Sequence, residues 1–348
     1  MKSLIIGRSY KVATSIENKN SYGFNQGRFF MAAFSLKTII IFLLSFLIQN
    51  SAFANNRLSV FVSIVPQKYF VEQIGKDLVD VQVMVQPGAG PHTYEPKPLQ
   101  MAALSKAKLY FSIGVTFEQA WLNKIASSNP NLIIVHTDEK IQKIPMAVHH
   151  HDDTVHNHGD DDHHHHHHHG DKGHDKMPER DNSHHSGILD PHIWLSPPLV
   201  KIQAHTILDA LQKADPMNSA TYESNFKDFI TEIDLLHAKL ENTFSGKKGA
   251  AFIVFHPSWG YFAKAYGLKQ IPIEVEGKDP KAAQLMEIIN YAKEHDIKVI
   301  FVQPQFSARS ADLVAKEIGG KVVSIDPLAF NWSENLREVA SIFEDVFK

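Results

Sequence analysis

The chain has no cysteine in its 348 residues. Disulfide staples, thiolate metal ligands and thiol-linked lipid anchors are therefore all excluded. Stability has to come from buried apolar surface, and a 43% apolar composition is enough to build real cores. A surplus of charge is also lacking, with a formal net charge of −3. Phosphate backbones are held by concentrated Lys and Arg, so a nucleic-acid partner is not expected. Membrane-length apolar stretches are missing too: the run Thr38–Ile48 is too short to cross ~30 Å of hydrocarbon.

That run has a different meaning in context. It follows the short cationic start MAAFSLK and leads to Ala52 and Ala54, an Ala-x-Ala ending. Charge, apolar core and small-residue terminus describe a cleavable secretory signal peptide over residues 31–54. Residues 1–30 are polar and turn-rich, an unassigned extension for which Met31 is an alternative start. An exported chain without a lipid-bearing thiol is expected to be soluble, and an outer barrier is then needed to retain it. The expected compartment is the periplasm of a Gram-negative bacterium.

After Ala54, short β-branched runs alternate with helical segments: LSVFVSIV, PQKYFVEQIG, VDVQVMV, KPLQMAALSKA, LYFSIG, FEQAWLNKIA, LIIVHT. Such alternation predicts an α/β fold with a parallel sheet covered by helices. It resumes from AFIVF at Ala251 onward, which gives a second parallel-sheet lobe. Between the two, residues 218–244 carry Tyr222, Phe226, Phe229, Ile233, Leu236 and Leu240 at three- and four-residue steps, the stripe of one long helix. Gly246 suits its stop, and Asp279 with Pro280 suits the start of a later helix. The predicted organisation is a first lobe over 55–217, a linking helix over 218–244 and a second lobe over 245–348.

One segment breaks the pattern. Residues 147–187 are mostly His, Asp and Gly and have almost nothing to bury, so they are expected to stay disordered without metal. Their imidazoles form a candidate low-affinity metal loop: His149, His150, His151, His156, His158, His163, His164, His165, His166, His167, His168, His169, His174, His184 and His185.

A second set of histidines is framed quite differently. His92 lies in GPHTYEP, His192 in DPHIWLSP and His256 in FHPSWGYF, and Asp326 follows in SIDPL. Imidazole nitrogens with one carboxylate oxygen suit a borderline ion such as Zn²⁺. His92, His256 and Asp326 come after predicted strands, where open α/β sheets bind ligands, and each lobe supplies two of the four. Pro91, Pro191, Pro257 and Pro327 stiffen the backbone beside each ligand. One histidine in a polar loop is most often a surface or capping group, so the assignment rests on convergence. Glu95 and Asp190 are expected to orient ligand imidazoles. His136, His205, His237 and His295 lack such frames and are left as structural.

With these motifs the chain resembles the metal-binding subunits of bacterial ABC-type zinc and manganese importers, specifically the zinc-binding periplasmic branch. The resemblance runs from Arg57 onward through PGAGPHTYEPKP, DPHIWLSP, DPMNSATYESNF, FHPSWGYFAKAYGL, EGKDPKAAQL, FVQPQFS and SIDPLAF. It implies two α/β lobes joined by one rigid backbone helix, with the metal in the cleft between them. It also implies a monomer that hands Zn²⁺ to a membrane permease served by a cytoplasmic ATPase. Manganese members of the family use a carboxylate where this chain has His256. Some zinc members carry an acidic residue before the first histidine, where this chain has Pro91. Asp326 is the ligand the resemblance supports least, because zinc members leave that position distant or replaced by water. Competing readings are a Mn²⁺, Ni²⁺ or Cu²⁺ carrier of the same class, a zinc sink or chaperone centred on the loop, and a zinc hydrolase. The chain has no HExxH motif and no nucleophile elbow, so no enzyme is expected.

Overall fold

The computed structural model describes residues 57–147, 188–274 and 278–347. The N-terminal extension, the signal peptide and the histidine-rich loop lie outside the described residues. The described residues fall within one compact unit, 56–348.

Strand β1 (Leu58–Val62) leads through α1 (Val65–Gly75) to β2 (Val79–Val83), then α2 (Pro98–Leu104), β3 (Leu109–Ser112), α3 (Thr116–Ser128) and β4 (Ile133–His136). These strands pair in parallel in the order β2-β1-β3-β4. Two helices follow, α4 (Pro197–Ala214) and α5 (Ser219–Phe244). The second lobe repeats the first: β5 (Ala251–Val254), α6 (Gly260–Tyr266), β6 (Lys269–Pro272), α7 (Ala282–Glu294), β7 (Val299–Val302), α8 (Arg309–Glu317) and β8 (Lys321–Ser324). Its parallel order is β6-β5-β7-β8, and α9 (Trp332–Val346) closes the chain. In each sheet the winding reverses between the first and third strands. The carboxyl ends there form a natural crevice, and the two crevices belong to opposite lobes.

The long helix α5 has 26 residues and forms as its stripe predicts: Tyr222, Phe226, Phe229, Ile233, Leu236, Leu240 and Phe244 are all buried. Its stop differs from expectation. Ser245 caps it in right-handed geometry, with its hydroxyl donating to Asn242 O, and left-handed φ first appears at Gly249 rather than Gly246. The start of α7 is also corrected. Lys281 occupies the cap position, where its N–H donates to Gln284 Oε1 (2.8 Å), while the Asp279 carboxylate accepts from Ser310 Oγ (3.0 Å).

One apolar cluster runs from the first sheet through α4 and α5 onto one face of the second sheet, where Phe252, Val254 and Phe301 meet Leu336, Val339 and Phe343 of α9. The alternate residues Ile253, Phe255, Ile300 and Val302 face a smaller cluster with α7 and α8. The period of two in β5 and β7 thus divides the second lobe into two layers. Two indoles fasten the lobes to each other. Trp194 Nε1 donates to Pro327 O and Trp332 Nε1 to Trp194 O, both at 2.7 Å. The Trp332 ring stands edge-on to Phe70 of α1, with centroids 5.2 Å apart.

Candidate metal centre

His256 follows β5 directly. The preceding residue extends the ladder, with Phe255 N–H donating to Phe301 O at 2.8 Å. Gln303, after β7, then holds the His256 backbone from both sides: its Oε1 accepts the N–H (3.3 Å) and its Nε2 donates to the carbonyl (2.6 Å). The ring stacks on Phe306, and Nδ1 lies 2.7 Å from Glu274 Oε1. Both partners of that contact are 4% exposed, so the pair is shielded from water.

His192 precedes a single 3₁₀ turn, Ile193–Leu195, that leads into α4. Asp190 Oδ1 accepts its backbone N–H (2.9 Å) and lies 2.7 Å from its Nδ1. His92 is half-buried on the loop after β2. That loop is fastened to the start of α3, where Phe117 N–H donates to Pro91 O and His92 Nδ1 lies 3.1 Å from Thr116 Oγ1.

The three rings converge. Their centroids are 4.7 Å (His92–His256), 5.2 Å (His192–His256) and 6.1 Å (His92–His192) apart, and the Nε2 atoms of His92 and His256 are 3.0 Å apart. One ligand nitrogen from each lies within 4.8 Å of the others, and this is the one such group among the described residues. A tetrahedral Zn²⁺ site with Zn–N of about 2.0–2.1 Å needs nitrogens about 3.4 Å apart, so modest ring shifts would complete it. Burial pushes His92 down to about 3, helped by the neighbouring His256 and His192. His256 is also lowered by burial, against the opposing pull of Glu274. Both rings are therefore neutral near pH 7, the form that ligates metal.

Asp326 does not join the histidines. Its Oδ1 accepts Leu328 N–H and Gln305 Nε2, both at 2.9 Å, so its carboxylate is spent on closing its own turn. It lines a neighbouring recess with Ile64, Val85 and Gln86, and Gln305 stands between that recess and the imidazoles. Of the two expected orienting groups, Asp190 is in place. Glu95 is exposed, and Thr116 stands where an orienting partner of His92 was expected. The sequence reading missed Glu274, Gln303 and Thr116. For Glu274 there was a signal: an acidic residue directly after the apolar run Ile271–Ile273, at a strand's carboxyl end. The unframed histidines are engaged elsewhere: His136 with Ser112, His205 on Phe226, His237 with Tyr266 and His295 on Tyr291.

Comparison with known proteins gives the family and the fold. A family profile described as zinc-uptake complex component A, periplasmic (ZnuA), matches residues 60–343. The chain is 31% identical over 277 residues to the high-affinity zinc uptake system protein ZnuA of Bacillus subtilis strain 168, spanning 78% of this chain and 79% of that one. A crystal structure of a ZnuA covers 84% of this chain and 100% of its own at 41% identity, with a TM-score of 0.70. A zinc-bound ZnuA deletion mutant reaches the same TM-score of 0.70 at 40% identity, over 83% of this chain and 98% of that one. A manganese-bound periplasmic protein of Candidatus Liberibacter asiaticus shares the fold at 19% identity and a TM-score of 0.66, over 83% of this chain and 99% of that one.

Proposed function

Because the chain belongs to the family of periplasmic zinc-uptake complex component A, we propose that it captures Zn²⁺ outside the cytoplasmic membrane and delivers it to an ABC-type permease with its ATPase. His92, His192 and His256 are the ligands in this reading, and a water molecule or another exchangeable group takes the fourth position. One observation carries it: each Nδ1 has its own partner, which turns the three Nε2 atoms toward one another.

The partners also divide the work of binding. The carboxylates of Asp190 and Glu274 are acceptors, so they fix His192 and His256 as Nδ1–H tautomers with open Nε2 lone pairs. The Nε2 atoms of His92 and His256 lie 3.0 Å apart, close to the spacing of two ligands on one Zn²⁺. The Thr116 hydroxyl can accept from His92 Nδ1–H, which leaves the Nε2 lone pair open for metal.

An all-nitrogen donor set favours Zn²⁺ over the oxygen-preferring Mn²⁺. The same set with an open position resembles hydrolytic zinc centres, but the carboxylates around it are engaged otherwise: Asp190 and Glu274 with the ligand rings, and Asp326 with Gln305 and Leu328. Carriage therefore fits better than hydrolysis. Export through the signal peptide at 31–54, residence in the periplasm and weak auxiliary Zn²⁺ binding by the histidines of 147–187 complete the proposal. The test is competition with a chromophoric zinc chelator. Wild-type protein should hold one tight Zn²⁺, which His192→Ala and His256→Ala abolish with folding intact. Unchanged affinity in both variants would overturn the assignment.

A further inference from the structure

The motif FHPSWGYF supplies His256 at one end, yet its other end faces a different ligand. Tyr261, in the second lobe, reaches the first lobe through its hydroxyl. Oη accepts Ile144 N–H (3.1 Å) and donates to Asp190 O (2.9 Å). Burial pushes this hydroxyl up to about 12, so it keeps its proton across the physiological range. The two segments it joins are paired antiparallel: Met146 N–H donates to Ile188 O (2.8 Å) and Asp190 N–H to Ile144 O (2.9 Å), around a bridge between Pro145 and Leu189. One phenol thus fixes both arms of a short ladder that ends at Asp190.

Asp190 is the residue that aims His192. Its Oδ1 takes both the backbone N–H and the ring Nδ1–H of that histidine. Its Oδ2 is buried without a hydrogen-bond partner among the described residues, and it sits where a side chain on Gly260 would be. A Cβ at Gly260 would lie 2.6 Å from that oxygen, a separation that forces something to move. Gly260 has no positive φ, so the backbone does not demand glycine; the carboxylate beside it does.

We infer that Tyr261 and Gly260 are positioning residues for metal capture, setting the orientation of His192 through Asp190 from the opposite lobe. This rests on the reading of His192 as a Zn²⁺ ligand. The second lobe then determines two of the three imidazoles: His256 directly, and His192 through the phenol and the glycine cradle. Residues that orient a ligand typically cost 10–100-fold in metal affinity when removed.

The experiment uses Tyr261→Phe, which keeps the ring, and Gly260→Ala, which adds one methyl against Asp190. Zn²⁺ affinity is read by chelator competition, ligand geometry by the d–d absorption of the Co²⁺-loaded protein, and folding by thermal melting. Each variant should bind Zn²⁺ about tenfold more weakly, shift the Co²⁺ bands and melt as a folded protein. In an Asp190→Ala background, Tyr261→Phe should add no further loss, because holding the Asp190 backbone matters only through the side chain that aims His192. Affinities within about twofold of wild type together with unchanged Co²⁺ spectra would overturn the inference, as would losses that multiply in the Asp190→Ala background. If Tyr261→Phe does not fold, Gly260→Ala decides alone. A wild-type protein that binds no tight Zn²⁺, or a His192→Ala variant that binds like wild type, would instead locate the failure in the metal reading itself.

Discussion

The three imidazoles converge but rely on unequal partners: a hydroxyl for His92 and buried carboxylates for His192 and His256. A carboxylate raises ligand basicity as well as fixing the ring, so Glu274→Gln should weaken Zn²⁺ binding by about 10–100-fold, more than Thr116→Val. Isothermal titration of both variants checks the order. Asp326→Ala should change Zn²⁺ affinity by less than about threefold, since its carboxylate is already committed to Gln305 and Leu328. A larger loss would mean that metal draws it into the site. Protons act at the same scale. Unfolded, His92 titrates near ~6.5, whereas the fold holds it down to about 3. Between those values the unfolded chain binds the extra proton, so the metal-free protein loses stability as pH falls from ~6.5 toward 3, and this group costs nothing above ~6.5. Melting of metal-free protein between pH 7 and pH 4 should show that decline, with a flatter slope in His92→Phe. For the same reason, log affinity for Zn²⁺ should fall by less than about three log units per pH unit just below ~6.5, because His92 does not compete there.

Among the elements, α5 bears the clearest imprint of its sequence and packs against helices of both lobes. Its apolar stripe lies entirely in the continuous core, so Phe229→Ala should cost about 3–5 kcal/mol, measured by urea unfolding. That stripe was legible because helical period survives in any tertiary context, and the β-branched runs were legible for the same reason. The three histidines that converge were legible through their proline and aromatic frames. The partners were harder to read. Thr116 begins a helix with no local mark of its role, and Glu274, just past β6, has only the faint mark of an acidic residue after an apolar run, because what assigns them is the packing of one loop against another. Asp326 shows the converse. SIDPL looks like a ligand motif, yet a turn with Asp at its head can also satisfy the carboxylate locally, through Leu328 N–H. Periodicity cannot choose between those outcomes. The ends of helices failed for a similar reason: Asp279 is a good cap by type, but Ser310 engages its carboxylate.

For the whole molecule, the sharing of one apolar cluster between both sheets means that neither lobe has a complete interior of its own. Metal-free protein should therefore unfold in a single calorimetric transition, and two separable transitions would contradict a common core. Removing residues 148–187 should lower total Zn²⁺ stoichiometry while one tight site remains, since the three framed histidines and their partners all lie outside that segment. Equilibrium dialysis of the deleted and full-length chains, each against a zinc series, checks this.

The small ladder around Pro145 and Leu189 has a consequence for how such a chain can change over generations. Because the two strands leave the fold side by side, already paired and pinned by Tyr261, the framework registers only that they are connected, and hardly at all by how much. Closing a longer connection costs only about 0.6 kcal/mol for each doubling of its length. Codons can thus be gained or lost between these two points with little penalty to the rest of the protein. The position is a tolerant splice point, where a histidine-rich tract can lengthen, shorten or vanish under selection for metal supply while the architecture that carries it stays the same.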